Sequence, residues 1–187
     1  MIYLTSDLHF CHNKNFIYEP RGFYMVKHMN EAIVENWNKT VDMEDDVYVL
    51  GDIMLNDNDT GIKLLKSLKG HLHIILGNHD TDSRIELYSE CYNVCEITCA
   101  DRLKYDGYHF FLSHYPCFTG NIEKESLKQM TINLFGHTHQ PTNFFIDARG
   151  KEIPHMYHVG VDSHNCTPIS LDEIINDVRV AWKKNST

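Results

Sequence analysis

No run of about 18 apolar residues occurs in this chain, so no transmembrane helix and no membrane partner are expected. Nor does it open on an apolar stretch of useful length: Asp7 and His9 interrupt the first residues, which argues against a signal peptide. The six cysteines, Cys11, Cys91, Cys95, Cys99, Cys117 and Cys166, never fall into the C-x-x-C spacing of a structural zinc or redox motif. They read as reduced thiols of a cytoplasmic protein. Cys91, Cys95 and Cys99, set among Val94, Ile97 and Thr98, read as small apolar groups packing along a strand. Proline and glycine are sparse, 5 and 10, and no linker, repeat or low-complexity segment breaks the chain. Basic charge is short as well: 17 Lys plus Arg face 26 Asp plus Glu, for a net charge of −9. Proteins that coat nucleic acid depend on clustered cations, so a dedicated nucleic-acid role is disfavoured while a small anionic substrate stays open.

What remains is an ordinary globular composition, 42% hydrophobic and 23% charged over 187 residues, which reads as a single domain spanning 1–187. Histidine is the exception, with 13 copies of the side chain that most often binds metals and moves protons near neutral pH. Short apolar runs at 2–5, 47–50, 72–76, 109–112 and 132–135 have the length of buried strands. Helical periodicity covers 26–38 and 60–68, and a last helix is expected over 171–182, with Ser170 and Glu173 at capping-box spacing. Further strands are expected at 94–99, 143–147 and 156–160. Strand, helix, strand, helix, strand in the first half implies a layered α/β core.

Each of those five strands runs into a polar cluster at its C-terminal end: Asp7-Leu8-His9, Gly51-Asp52, Gly77-Asn78-His79-Asp80, Ser113-His114 and Gly136-His137-Thr138-His139. In layered α/β proteins these ends converge on one crevice. Two carboxylates, one carboxamide and four imidazoles with no thiolate suit a borderline divalent metal better than calcium, and they outnumber what one tetrahedral ion needs. In an extended chain, period-2 geometry would send Asp7 and His9 to one side with Leu8 turned inward, and likewise His137 and His139 around Thr138. Alone, a D-x-H or a G-D is common by chance. Five such signals in order, all at strand ends, are not explained by packing.

This ordered set, D-x-H, G-D, G-N-H-D, H and G-H-T-H, resembles the calcineurin-like metallophosphoesterase superfamily from Asp7 to His139. His12 and Asn15 after the first motif, and Val159-Gly160-Val161-Asp162 near the end, resemble its compact bacterial and phage branch, which lacks a cap domain. The resemblance implies an α/β fold with a two-sheet β-sandwich flanked by helices. It implies two divalent transition-metal ions (Mn, Fe, Zn, Ni or Co), with Asp7, His9 and His139 on one, Asn78, His114 and His137 on the other, and Asp52 bridging. His79 matches the family's substrate-side histidine, donating to the phosphate or leaving oxygen. The implied activity is hydrolysis of a small phosphodiester or phosphomonoester, diester favoured, by a metal-bridging hydroxide.

The chain departs from the superfamily's phosphoprotein phosphatases, which carry Asp and Arg shortly after the Asp52 position where this chain has Ile53-Met54-Leu55-Asn56. That disfavours a phosphoprotein substrate and leaves the partner orienting His79 open, Asp80 being one candidate and a capping role for Asp80 the alternative. Substrate contacts are expected from Asn78, His79 and the loop 10–24, where His12 and the forked guanidinium of Arg21 are the preferred groups. Tyr115 and Pro116 are candidate pocket walls. The alternative function is a non-catalytic metal-binding interaction scaffold, a use to which the fold is put elsewhere. No pattern in the sequence specifies an oligomeric state.

Overall fold

A computed structural model describes residues 1–119 and 126–185. Two five-stranded sheets form its centre. The first carries β1 (Ile2–Thr5), β2 (Asp46–Val49), β3 (His71–Ile75) and β4 (Val94–Thr98) in parallel, with the short β10 (Ile169–Ser170) antiparallel beside β1. The second carries β5 (Asp101–Tyr105), β6 (Tyr108–Leu112), β7 (Thr131–Phe135), β9 (Glu152–His158) and β8 (Phe144–Ile146), with β6, β7 and β9 mutually parallel. Helices α1 (Asn15–Tyr18), α2 (Val26–Thr40), α3 (Asn58–Lys66), α4 (Asp82–Ser89) and α5 (Leu171–Asn185) complete the fold, a two-sheet sandwich flanked by helices.

The pleat explains why the first sheet is buried on both faces. Tyr3, Val47, Val49, Leu72 and Ile74 point one way, onto Met29, Ile33 and Trp37 of α2 and Leu65 of α3. Leu4, Leu50 and Ile75 point the other way, onto Phe110, Leu112, Ile132 and Leu134 of the second sheet. Ile174, Ile175 and Val178 of α5 close this second core. The capping box forms as expected: Ser170 N–H and Oγ both donate to Glu173 Oε2 (3.1 and 2.6 Å), and Glu173 N–H donates to Ser170 Oγ at 3.2 Å.

Some expectations need correction. The helix α4 buries only Tyr88 and so lacks the apolar stripe that periodicity detects. The strand β5 is an edge strand, and the two-residue Asp106-Gly107 turn (φ 47° and 76°) that joins it to β6 is a hairpin signal that a search for apolar runs passes over. The last helix continues past 182 to Asn185. Cys95 and Cys99 are exposed, because β4 is the outer strand of its sheet; of the six cysteines only Cys11, Cys91 and Cys166 are buried.

His158, the last residue of β9, is fully buried, its Nδ1 on Ser163 Oγ at 2.8 Å and its Nε2 without a partner among the described residues. Burial lowers its pKa to about 4. Between that value and the ordinary 6.5 the unfolded chain takes a proton that the folded chain refuses, so stability is lost as pH falls through this window. In chelator-treated protein, His158 should account for about 2 kcal/mol of lost stability between pH 7 and pH 5. Urea midpoints at the two pH values test this: His158→Gln should narrow the gap, and an equal gap in variant and parent rejects the assignment.

Candidate metal centre

The residues after β1, β2, β3, β6 and β7 meet at one end of the sandwich. The loops after β1 and β2 stay zipped beyond the strands, with Asp7 N–H donating to Gly51 O (3.0 Å), His9 N–H to Asp52 O (3.0 Å) and Phe10 N–H to Ile53 O (2.9 Å). The chain here is not extended, contrary to expectation. Asp7 (φ 57°), His9 (49°), Asp52 (57°), His137 (67°) and His139 (48°) all occupy the left-handed region. For residues with a Cβ this costs about 1 kcal/mol or more each and persists only where surroundings over-determine it. Leu8 and Phe10 still face inward, fully buried, but left-handed turns rather than a pleat bring Asp7 and His9 together.

Close approach sets a second local requirement. A Cβ on Gly136 would collide with Ser6 Oγ and the Asp7 carboxylate, and one on Gly77 with the Asp52 carboxylate. Only glycine lets these backbones close over the two buried acids.

The donor atoms form two groups that share Asp7. Ligand atoms of Asp7, His9 and His139 lie within 4.8 Å of one another, as do those of Asp7, Asp52 and His114. His9 Nε2 and His139 Nε2 are 3.2 Å apart, and Asp7 Oδ1 is 3.9 and 3.8 Å from them. Asp52 Oδ2 sits between the groups, 3.7 Å from His9 Nε2 and 3.6 Å from His114 Nε2. Asn78 Oδ1 is 2.9 Å from His114 Nε2. The ring of His137, an exposed residue, packs at 5.0 Å from His114 and 4.7 Å from Tyr115; its ring nitrogens join neither group, while the His137 backbone N–H donates to Asp7 Oδ2 at 2.9 Å.

These distances match the edges of a coordination polyhedron, since donors about 2.1 Å from a common ion lie about 3 to 4 Å from each other. Protonation points the same way. Burial, then the neighbouring His139, Arg21, His12 and His79, hold the His9 pKa well below its ordinary value, and burial with His114 lowers that of His137. Such imidazoles are neutral and offer lone pairs. Asp7 and Asp52 are 0% and 1% exposed, and among the described residues neither pairs with a lysine or arginine. Buried carboxylates in that position call for a cation, so the residues present fit divalent metal.

The supporting contacts overturn one expectation and answer another. Arg21 does not present its fork to the crevice. Its side chain is 1% exposed, Nε and Nη2 meet Asp162 Oδ1 and Oδ2 at 2.8 and 3.1 Å, and Nη2 also donates to Asp7 O at 2.9 Å. Asp162 Oδ2 in turn accepts from His139 Nδ1 at 2.9 Å, leaving Nε2 for the site. Against burial, that bond and the charges of Asp7 and Asp162 raise the His139 pKa. Against burial, His139 and Arg21 push the Asp162 carboxyl far below the carboxylate range. This carboxylate–histidine arrangement orients metal ligands in general. Asp162 carried no assigned role in the sequence, since 23 residues separate it from His139.

Asp80 neither touches the His79 ring nor caps α4, whose N-cap is Thr81. Its carboxylate accepts from Asp52 N–H (2.9 Å), Gly77 N–H (2.8 Å), Ile53 N–H (3.3 Å) and Tyr88 O–H (2.8 Å), tying the β2 and β3 loops together. The Asp52 carboxylate is what His79 meets: its N–H donates to Asp52 Oδ1 at 2.9 Å and its Nε2 lies 3.9 Å from Oδ2. His12 is nearly buried, Nδ1 to Nδ1 with His9 at 3.2 Å, and faces His79 at 6.1 Å between ring centres.

Comparison with known proteins places this geometry in a family. Residues 1–153 match the family model described as the calcineurin-like phosphoesterase superfamily domain. An uncharacterized protein of Methanocaldococcus jannaschii is 34% identical, over 93% of this chain and 89% of its own length. The gene 66 protein of Mycobacterium phage D29 is 28% identical, over 95% and 96%. The crystal structure of a protein of unknown function from Aquifex aeolicus superimposes with a TM-score of 0.69 at 26% identity, covering 94% of this chain and 98% of that one.

Two outcomes are expected. Asp162→Asn should weaken manganese or zinc binding about 10- to 100-fold, read by competition with a chromogenic chelator; unchanged affinity would separate Asp162 from metal binding. Asp80→Ala, which strands backbone donors in a buried loop junction, should cost about 3 kcal/mol in urea unfolding of the chelated protein.

Proposed function

The chain belongs to the calcineurin-like phosphoesterase superfamily, and on that premise we propose that it is a dinuclear metal-dependent phosphodiesterase acting on a small ester. The observation that carries the proposal is the convergence of two donor groups on the buried carboxylate of Asp7, with Asp52 of the second group 3.7 Å from His9 of the first. Asp7, His9 and His139 would hold one ion, Asn78, His114 and His137 the other, with Asp52 between them. Carboxylate, carboxamide and imidazole donors without thiolate suit Mn, Fe, Zn, Ni or Co. Bound there, two such ions supply Lewis-acid charge to a phosphoryl group and lower the pKa of water toward neutrality.

The chain's own residues supply the rest. His79, its side chain 40% exposed, is the ionisable group beside Asp52 that remains open to a substrate, so it can donate to a phosphoryl or leaving oxygen. No protein nucleophile is required. The diester preference follows from Arg21: with that guanidinium closed on Asp162, the site has little cationic reach beyond its metals, which suits a monoanionic diester better than a dianionic monoester. Six free cysteines suit a reducing compartment, the cytoplasm in this reading, and no helix among the described residues is long and apolar enough to cross a membrane. The whole chain is taken as one catalytic domain.

Metal-stripped protein should regain hydrolysis of bis-p-nitrophenyl phosphate when manganese, nickel, cobalt or zinc is returned, with slower turnover of p-nitrophenyl phosphate. Asp52→Asn should abolish turnover, and His79→Ala should lower kcat about 10²- to 10⁴-fold. Metal binding without turnover of any ester would point to the interaction scaffold instead.

A further inference from the structure

Large aromatic side chains rarely stand open to water next to a polar site, and among the described residues two do so here. Phe16 is 70% exposed, although its neighbour Ile17 on α1 is buried in the core. Its ring meets that of His12 at 5.8 Å and 87°. Tyr115 is 48% exposed, its ring meeting His114 at 5.1 Å and His137 at 4.7 Å, both steeply inclined. These contacts use part of each ring and leave surface for a flat group.

Their placement is what gives them meaning. His9 and His114 both reach Asp52 Oδ2, at 3.7 and 3.6 Å. His12 backs His9, and Phe16 follows His12; Tyr115 follows His114. Phe16, through His12 and His9, and Tyr115, through His114, are thus each linked by successive contacts to the Asp52 carboxylate. A phosphodiester held at that carboxylate carries two ester arms, and the two rings are exposed flat surfaces beside the histidines that surround it. A net charge of −9 disfavours a long polyanion, which leaves small esters.

Resting on the phosphodiesterase reading above, we propose that Phe16 and Tyr115 are stacking residues that select phosphodiesters bearing planar ring systems, nucleoside esters being the class that fits. Stacking is tolerant of base identity because every base has a π-face, so the selection is for a ring over an alkyl arm and not for one base.

The test uses two diesters with the same leaving group, thymidine 5′-(p-nitrophenyl phosphate) and methyl p-nitrophenyl phosphate. The thymidine ester should show a KM lower by about 10-fold or more. That ratio should fall toward unity in Phe16→Leu or Tyr115→Leu, which remove the ring at similar apolar volume, and persist in Tyr115→Phe. Equal KM values in the parent protein, or a ratio indifferent to both leucine variants, overturn the proposal. A binding arm separates its failure from that of the enzyme reading: equilibrium dialysis of thymidine 5′-monophosphate against methyl phosphate, with and without manganese. If neither diester turns over, the phosphodiesterase reading fails. A thymidine preference lost in the leucine variants still supports stacking, and no preference overturns it.

Discussion

Two carboxylates, Asp7 and Asp52, buried and without a lysine or arginine partner among the described residues, are the constraint around which this end of the molecule is organised. Buried acids in such surroundings are costly unless donors and cations surround them. Ser6 Oγ and His137 N–H donate to Asp7, and His79 N–H donates to Asp52. The His9 imidazole, held neutral by burial, cannot balance their charge, and divalent metal can. Left-handed turns and glycines without room for a Cβ follow from closing loops over these groups.

Strain at such a site is sustained by surroundings that do not bind the metal themselves. Asp80 locks the β2 and β3 loops through their backbone N–H groups. Arg21 and Asp162 tie the β1 loop to the segment after β9 and fix the face His139 presents. The first arrangement rests on the first sheet, whose two buried faces bear Trp37 and Leu65 on one side and the second sheet on the other, and the second arrangement joins that sheet's β1 loop to segments after β7 and β9 of the second. The stable part of the molecule and the strained part meet at the strand ends.

A basic residue near a phosphate site invites assignment to the substrate. Arg21 carries the fork and the sequence position for that role, but its burial and its carboxylate partner give it a positioning role instead. Asp162 is the reverse case, marked in the sequence only as part of Val159-Gly160-Val161-Asp162 and without a role, yet bonded to His139 of the first donor group. Asp162 lies 141 residues from Arg21 and 23 from His139, with β8 and β9 between the latter two, and no local spacing encodes either contact.

The central strands, the main amphipathic helices and the ligand motifs were legible because each is a local pattern: a run of apolar residues, a helical stripe, or a cluster of donors within four residues at a strand end. The α/β sandwich and the family followed from their order. Short or edge elements such as α4, β5 and β10 were not, because α4 and β5 bury too little and the two residues of β10 are too few to impose a periodicity. Tertiary structure alone decided that the two donor groups share Asp7, that left-handed backbone aims Asp7 and His9, that Arg21 is closed off, and that Asp162 and Asp80 hold the loops. Those outcomes depend on distances between segments remote in the chain, and such distances exist only once the two sheets have packed.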